Sequence, residues 1–167
     1  SAYGFEHKSI ALINADSPKK LLSSEPELRV SAINLHNETQ LRALGVWQNL
    51  NEQRLCSYTD MQVWEQDSFG KIQFSSQEAN TSHLGTILEN QALVNALTDS
   101  VAEHANVQFL APVTISKISL GEKQHAVVLE DGTMLSTDLL VGADGANSLV
   151  RKTANMPISF RDYGQSA

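Results

Sequence analysis

The stretch Val141–Arg151, reading Val-Gly-Ala-Asp-Gly-Ala-Asn-Ser-Leu-Val-Arg, constrains this chain more than any other feature. It follows the apolar pair Leu139-Leu140 and leads into a short helical pattern. Two glycines and one carboxylate at the end of a strand specify a tight turn beside a helix start. Glycine permits close backbone approach and unusual dihedrals. A helix N-terminus offers free amide donors to an anion, so such a turn can hold a phosphorylated cofactor. An isolated Asp-Gly pair is an ordinary turn between strand and helix. The complete string is much rarer, and it points to a ligand site.

Bulk properties narrow the classes. A chain of 167 residues with 41% hydrophobic residues suits an ordinary globular domain with a real core. The formal charge of -7 argues against a nucleic-acid surface, and no basic cluster exceeds Lys19-Lys20. The single cysteine, Cys56, excludes an internal disulfide framework and fits a reducing compartment. The first residues carry no basic-then-apolar signal segment, and no apolar run approaches the roughly 20 residues of a membrane span. These signs predict a cytoplasmic protein, with membrane contact limited to the periphery. The 5 histidines and Cys56 show no metal-ligand spacing, so no metal site is expected. Neither a serine nucleophile elbow nor a Walker loop is present.

Periodicity predicts a mixed α/β order. Ser9–Asn14 reads as a buried strand ending at Asn14, with Asp16 just beyond, and Pro18 to Pro26 as a polar loop. Asn34 or Asn37 can cap a short helix reaching Leu44, with Gly45 as its stop, Leu41 and Leu44 inward and Trp47 as a core anchor. Met61–Trp64 and Lys71–Phe74 read as strands with Val63, Ile72 and Phe74 buried. Gly85–Leu88 leads to Asn90 as an N-cap, and Leu93, Leu97 and Val101 align on one helical face. Val107–Leu110 is a strand. Val113–Ile118, Ala126–Glu130 and Thr133–Leu135 form a meander whose Asp131-Gly132 makes a two-residue hairpin turn. Asp138–Val141 is a final strand delivering the chain to the Gly142–Asn147 turn.

With these patterns in place, Val141–Arg151 resembles the second flavin motif of the class A flavoprotein monooxygenases, the aromatic-ring hydroxylases. Within them the chain is most similar to the ubiquinone-biosynthesis hydroxylases. Leu28-Arg29-Val30-Ser31-Ala32-Ile33 and Leu44-Gly45-Val46-Trp47 resemble the branch's flavin arginine and the helix end after it. Glu89-Asn90-Gln91-Ala92-Leu93 matches a Glu-Asn-x-x-Leu pattern of the same branch. The resemblance runs from about Gly4 to Ala167. It implies an α/β fold, the FAD/NAD(P)-binding Rossmann-like fold of the aromatic-hydroxylase type, incomplete and with part of a substrate-side sheet. The implied division is residues 1–60 as partial FAD-binding domain, 61–85 as substrate-side sheet, 86–155 as FAD-binding domain with meander, and 156–167 as the return toward the substrate domain.

The resemblance also implies roles. FAD is the cofactor and NAD(P)H the reductant of a monooxygenase that hydroxylates a polyprenylated phenol or benzoquinol with O2. Another oxidoreductase of the same fold, a halogenase or reductase, and a non-enzymatic interaction domain are the rival readings. Arg29 matches the arginine near flavin phosphate and ribityl oxygens. Asp144 matches the carboxylate near the cofactor; since like charges repel a diphosphate, its physical role is a hydroxyl contact or a bond to turn amides. Gly142 and Gly145 give the turn its shape. Ser148 completes the motif with Arg151, which makes either an ion pair or a pyridine-nucleotide contact. The usual acidic ribose ligand is replaced by Asn14, with Asp16 as a possible substitute; a plain strand-end turn is the alternative. Asn90 and Gln91 open a helix that begins near the flavin, Asn90 serving equally as a cap. No side chain stands out as a catalytic acid or base. Family members are more than twice this length, and their Gly-x-Gly-x-x-Gly and Gly-Asp-Ala motifs have no counterpart here. The expectation is an internal fragment, closing at Tyr163-Gly164-Gln165-Ser166-Ala167, inactive alone and prone to self-association through exposed sheet edges. Association of the parent protein with a ubiquinone-biosynthesis complex or a membrane periphery would follow from a lipid-tailed substrate.

Overall fold

The computed structural model describes residues 7–18, 20–159, 161 and 164. Gly4, Lys19, Tyr163 and 165–167, which entered the sequence reading, lie outside the described residues. The chain forms two compact units, Ser1–Ala111 and Pro112–Ala167.

In the first unit, β1 (Ile10–Ile13) pairs in parallel with β7 (Val107–Leu110), Ile10 opposite Val107. A second sheet sets β6 (Gly85–Glu89) antiparallel between β2 (Val30–Asn34) and β3 (Cys56–Tyr58). β4 (Asp60–Trp64) and β5 (Lys71–Ser75) make a separate hairpin. Helix α1 (Leu35–Ala43) follows β2 directly because the Asn34 side chain accepts the Asn37 amide at 2.9 Å and caps the first turn. The chain leaves this helix through Gly45, at φ +72°. Helix α2 (Asn90–Ala102) likewise follows β6 without a loop.

The core of this unit gathers Val46, Trp47, Leu50, Leu88, Ala92 and Ala96, with Leu22, Ile33, Leu41, Leu55 and Leu93 packed around them. Leu88 is 1% exposed at the centre. Burying one such side chain contributes about 1.5–3 kcal/mol. Trp47 is the anchor its sequence position predicts. Several expected burials differ. Leu44 is exposed, because it sits at the helix end beyond the turn that carries Leu41 inward. Ile10 and Leu12 are exposed as well; among the described residues β7 is the sole strand partner of β1, and parallel strands need cover on both faces. Val63, Ile72 and Phe74 lie on an uncovered hairpin face rather than in a core. The stripe on α2 is shifted by one residue: Ala92, Ala96 and Ser100 are buried while Leu97 is exposed, since small residues allow the close approach of the helix.

In the second unit, β8 (Ile115–Ser119), β9 (His125–Leu129) and β10 (Met134–Thr137) form the expected antiparallel meander. Ile118, Val127 and Leu129 are its buried residues. A register shift between Ile115 and Lys117 frees the Ser116 hydroxyl to donate to the Val128 carbonyl at 3.0 Å. The β9–β10 turn is not the two-residue type. The Gly132 amide donates to Leu129 O and the Leu129 amide to Thr133 O, which closes a loop of Glu130, Asp131 and Gly132 with only the glycine at positive φ. This is a type I turn followed by a bulge, the usual three-residue solution. Asp138–Val141 forms no strand among the described residues, and Leu139 and Val141 stay exposed; apolar sequence alone makes no strand without a partner ladder. Helix α3 (Leu149–Thr153) is the last regular element among the described residues. No helix among the described residues is long and apolar enough to cross a membrane.

Candidate functional site

The predicted site residues fall into two groups, one in each unit. In the first unit Arg29 ends an irregular segment and immediately precedes β2. Its side chain is exposed and, among the described residues, its guanidinium has no hydrogen-bond or ion-pair partner. Its backbone is held: the Arg29 carbonyl accepts the Asn90 amide at 3.1 Å. A fixed backbone under a free guanidinium suits two directed bonds to anionic oxygens.

Asn90 is not the N-cap. It is the first helical residue of α2; Glu89 occupies the cap position without a side-chain cap bond. The Asn90 amide oxygen instead accepts the Ser31 hydroxyl at 2.6 Å, tying the helix start to β2 beside Arg29. Gln91 donates to Pro18 O at 2.6 Å and to the Asn95 amide oxygen at 3.0 Å. Asn95 in turn binds both backbone groups of Lys20. Gln91 therefore fastens Pro18 and, through Asn95, Lys20, with its donor nitrogen engaged by the protein. Asn14 uses its side-chain amide on Asp16 O at 2.7 Å, the local turn that its strand-end position permits. Both residues are exposed, and the Asn14 side-chain oxygen and Asp16 carboxylate point to no partner among the described residues.

Two buried carboxylates went unnoticed in the sequence. Glu89, 4% exposed, receives a two-pronged contact from Arg54, at 2.6 Å from Nε and 2.8 Å from an Nη, and accepts the Glu27 amide at 2.9 Å. Arg54 hydrogen bonds hold its carboxyl below the usual carboxylate range. The one available signal was its place before Asn90 in the Glu-Asn-x-x-Leu pattern. Glu38, 6% exposed, takes bonds from Arg42, His83 and Thr86. Burial pushes its carboxyl up, but these donors outweigh burial and leave it lowered. It lines a cleft of about 620 Å³ with Arg42, Trp47, Leu50, His83 and Thr86, and no predicted site residue is among those lining it. Its oxygens are already satisfied, which makes the cluster a structural one.

In the second unit the Gly142–Arg151 turn forms, but its polar groups are spent on itself. The Asp144 carboxylate accepts the Leu149 amide at 2.6 Å and the Val150 amide at 3.3 Å. Ser148 caps α3 by accepting the Arg151 amide at 3.0 Å. The free amides expected for an anion are thus occupied, because a carboxylate within the turn reaches them first. The Ser148 hydroxyl, with the Val150 and Leu149 amides, holds the Asp144 carboxyl below its ordinary value. Arg151 donates to Ala146 O at 2.8 Å and closes the loop, and among the described residues it makes no ion pair. Gly142 is required by contact: a Cβ there would stand 2.8 Å from Val150 Cβ. Gly145, at φ +78°, turns the chain and leaves open space where its side chain would be.

Comparison with known proteins places this geometry. Over 173 residues, 96% of this chain, the sequence is 34% identical to the mitochondrial ubiquinone biosynthesis monooxygenase COQ6 of Danio rerio. It is 29% identical over 153 residues to 3-demethoxyubiquinol 3-hydroxylase of Escherichia coli (strain K12). The chain spans 35% and 39% of the lengths of these two relatives. No protein-family model matches it. Its fold is similar to that of PqsL, a probable FAD-dependent monooxygenase from Pseudomonas aeruginosa, with TM-score 0.67 and 19% identity over 96% of this chain and 42% of that one. It is similar also to the Diels-Alderase PyrE3 of pyrroindomycin biosynthesis, with TM-score 0.70 and 17% identity over 92% of this chain and 31% of that one.

Proposed function

From a chain homologous to ubiquinone-biosynthesis monooxygenases over nearly its whole length, we propose a segment of an FAD-dependent monooxygenase that hydroxylates a polyprenylated phenol or benzoquinol. The sequence relationship to COQ6 carries this reading. Fold alone does not choose it, since a Diels-Alderase shares the fold. The parallel β1–β7 pair with α2 packed beside β7 supports the finer, Rossmann-like description, and the division at residues 60, 85 and 155 belongs to the same proposal.

The residues present fit FAD in part. Arg29, exposed and unpartnered among the described residues, suits phosphate or ribityl oxygens. Gly145 offers backbone with open space above it. Among the described residues, Asn14 and Asp16 retain free acceptors for ribose hydroxyls. Asp144 and Gly142 act through the shape of the turn, and Asn90 and Gln91 through the segments they hold. Bound FAD would supply the redox chemistry, with NAD(P)H as reductant and O2 as oxidant. The protein's share is to bind, orient and exclude water. A lipid-tailed substrate supports peripheral contact with a membrane or a biosynthetic complex, and this segment alone is expected to be inactive.

The test is genetic. Disrupting the reading frame in its source organism and profiling extracted quinones by mass spectrometry is expected to reveal a polyprenylated precursor lacking one ring oxygen. An unchanged quinone profile would contradict the reading.

A further inference from the structure

Residues 21–29 contain no helix or strand, yet their backbone is bonded at every second residue on one side. Ser23 O accepts Arg54 Nη at 2.7 Å and Glu25 O accepts the other Nη at 3.4 Å. The Glu27 amide donates to Glu89 at 2.9 Å, and Arg29 O accepts the Asn90 amide at 3.1 Å. Beyond Arg29 the same side of the chain becomes the regular β2–β6 ladder, with Val30 opposite Glu89 and Ser31 opposite Leu88. β6 cannot continue that ladder past Glu89, because the chain turns into α2 at Asn90. The Arg54–Glu89 pair stands where the next strand residues would be. Its guanidinium fork and carboxylate replace the missing backbone donors and acceptors.

We propose that Arg54 and Glu89 are positioning residues that extend the β2–β6 ladder with side chains and so fix Arg29 for its flavin contact, an inference that rests on the flavin reading above. The geometry separates the two arginines by task. Arg54 turns four of its five N–H donors onto Glu89, Ser23 and Glu25. Arg29 has its backbone anchored and, among the described residues, its donors free. A fork is needed at position 54, since one planar group must reach a carboxylate and two carbonyls together; a lysine ammonium keeps the charge and loses that shape.

The experiment compares the wild-type chain with Arg54→Lys, Glu89→Gln, Arg29→Ala and the Arg54→Lys/Arg29→Ala double variant. FAD affinity is read by flavin fluorescence and backbone protection by amide hydrogen exchange. Arg54→Lys is expected to speed exchange in residues 23–31 while α2 keeps its protection, and to weaken FAD binding by about tenfold, as coupled members of one network do. That loss is expected to vanish in the Arg29→Ala background, which a merely structural role would not produce. The proposal is overturned if exchange in 23–31 is unchanged, if FAD affinity stays within about twofold of wild type, or if the same loss persists without Arg29. Should Glu89→Gln also lose α2 protection, Arg54→Lys still decides. The flavin reading is judged apart, by Arg29→Ala alone: if that variant binds FAD like wild type, the flavin role of Arg29 falls and the proposal with it.

Discussion

The Arg29 segment and the Gly142–Arg151 turn are opposites in one respect. The turn has the rarer sequence, and its charged groups are consumed internally: Asp144 on two helix amides, Arg151 on the Ala146 carbonyl. The Arg29 segment is an inconspicuous loop, yet its guanidinium is unpartnered among the described residues while its backbone is tied on one side. A rare motif can therefore specify a shape, while the chemistry available to a ligand comes from a plainer segment. Gly142 and Gly145 illustrate the first case, one by contact with Val150 and one by its positive φ.

That contrast can be broken or sharpened in four ways. The largest expected effect is at Gly142. Gly142→Ala places a Cβ 2.8 Å from Val150 Cβ and 3.0 Å from its Cγ1, a branched side chain with little freedom. It is expected to cost about 1–3 kcal/mol in denaturant titration. A neutral result would mean the turn is looser than described. Gly145→Ala is next. Nothing crowds the new methyl, so only the left-handed backbone opposes it, by about 1–2 kcal/mol in the same titration.

Asp144 gives a smaller effect, visible through pH. Its folded carboxyl is lowered from the ordinary 3.8 by the Ser148 hydroxyl and the helix amides. The stabilisation is complete above the unfolded value and is lost as pH falls below it, through the folded value. Asp144→Asn is expected to flatten this acid limb in melts recorded across that range. Retention of the full limb would assign it to other carboxylates, such as Glu89 and Glu38, which are lowered as well. The smallest stability effect belongs to Arg29→Ala. An exposed side chain without partners among the described residues is expected to shift stability by less than about 0.5 kcal/mol, and a larger loss in thermal melts would show that Arg29 supports the fold.

Local signals made much of the fold legible. Asn34 and Gly45 bracket α1, the meander follows alternation, and Trp47 anchors the core as its setting suggests. Burial was harder to read where it depends on what covers a face. Val63, Ile72 and Phe74 alternate as a half-buried hairpin should, yet periodicity cannot say whether a layer lies over them. On α2 the choice between the Leu93 stripe and the Ala92 stripe is one residue of rotation, decided by close packing rather than hydrophobicity. The turn at Glu130–Gly132 differs by one residue in length, which dipeptide chemistry does not fix.

The candidate site divides the same way. Gly142 and Gly145 shape the turn, and Arg29 stands exposed just before β2. Asn90 differs because Glu89 takes the cap position. Glu89 and Arg54 were invisible because they lie 35 residues apart, and nothing local to Arg54 says that it turns inward to a carboxylate.

The most direct measurement is an FAD titration of the purified chain beside Arg29→Ala and Asp144→Asn. The account predicts saturable binding by the wild-type chain, weakened by about tenfold or more without the Arg29 fork, and little changed by Asp144→Asn. Absence of binding by the wild-type chain, or equal binding by Arg29→Ala with loss in Asp144→Asn, would contradict it.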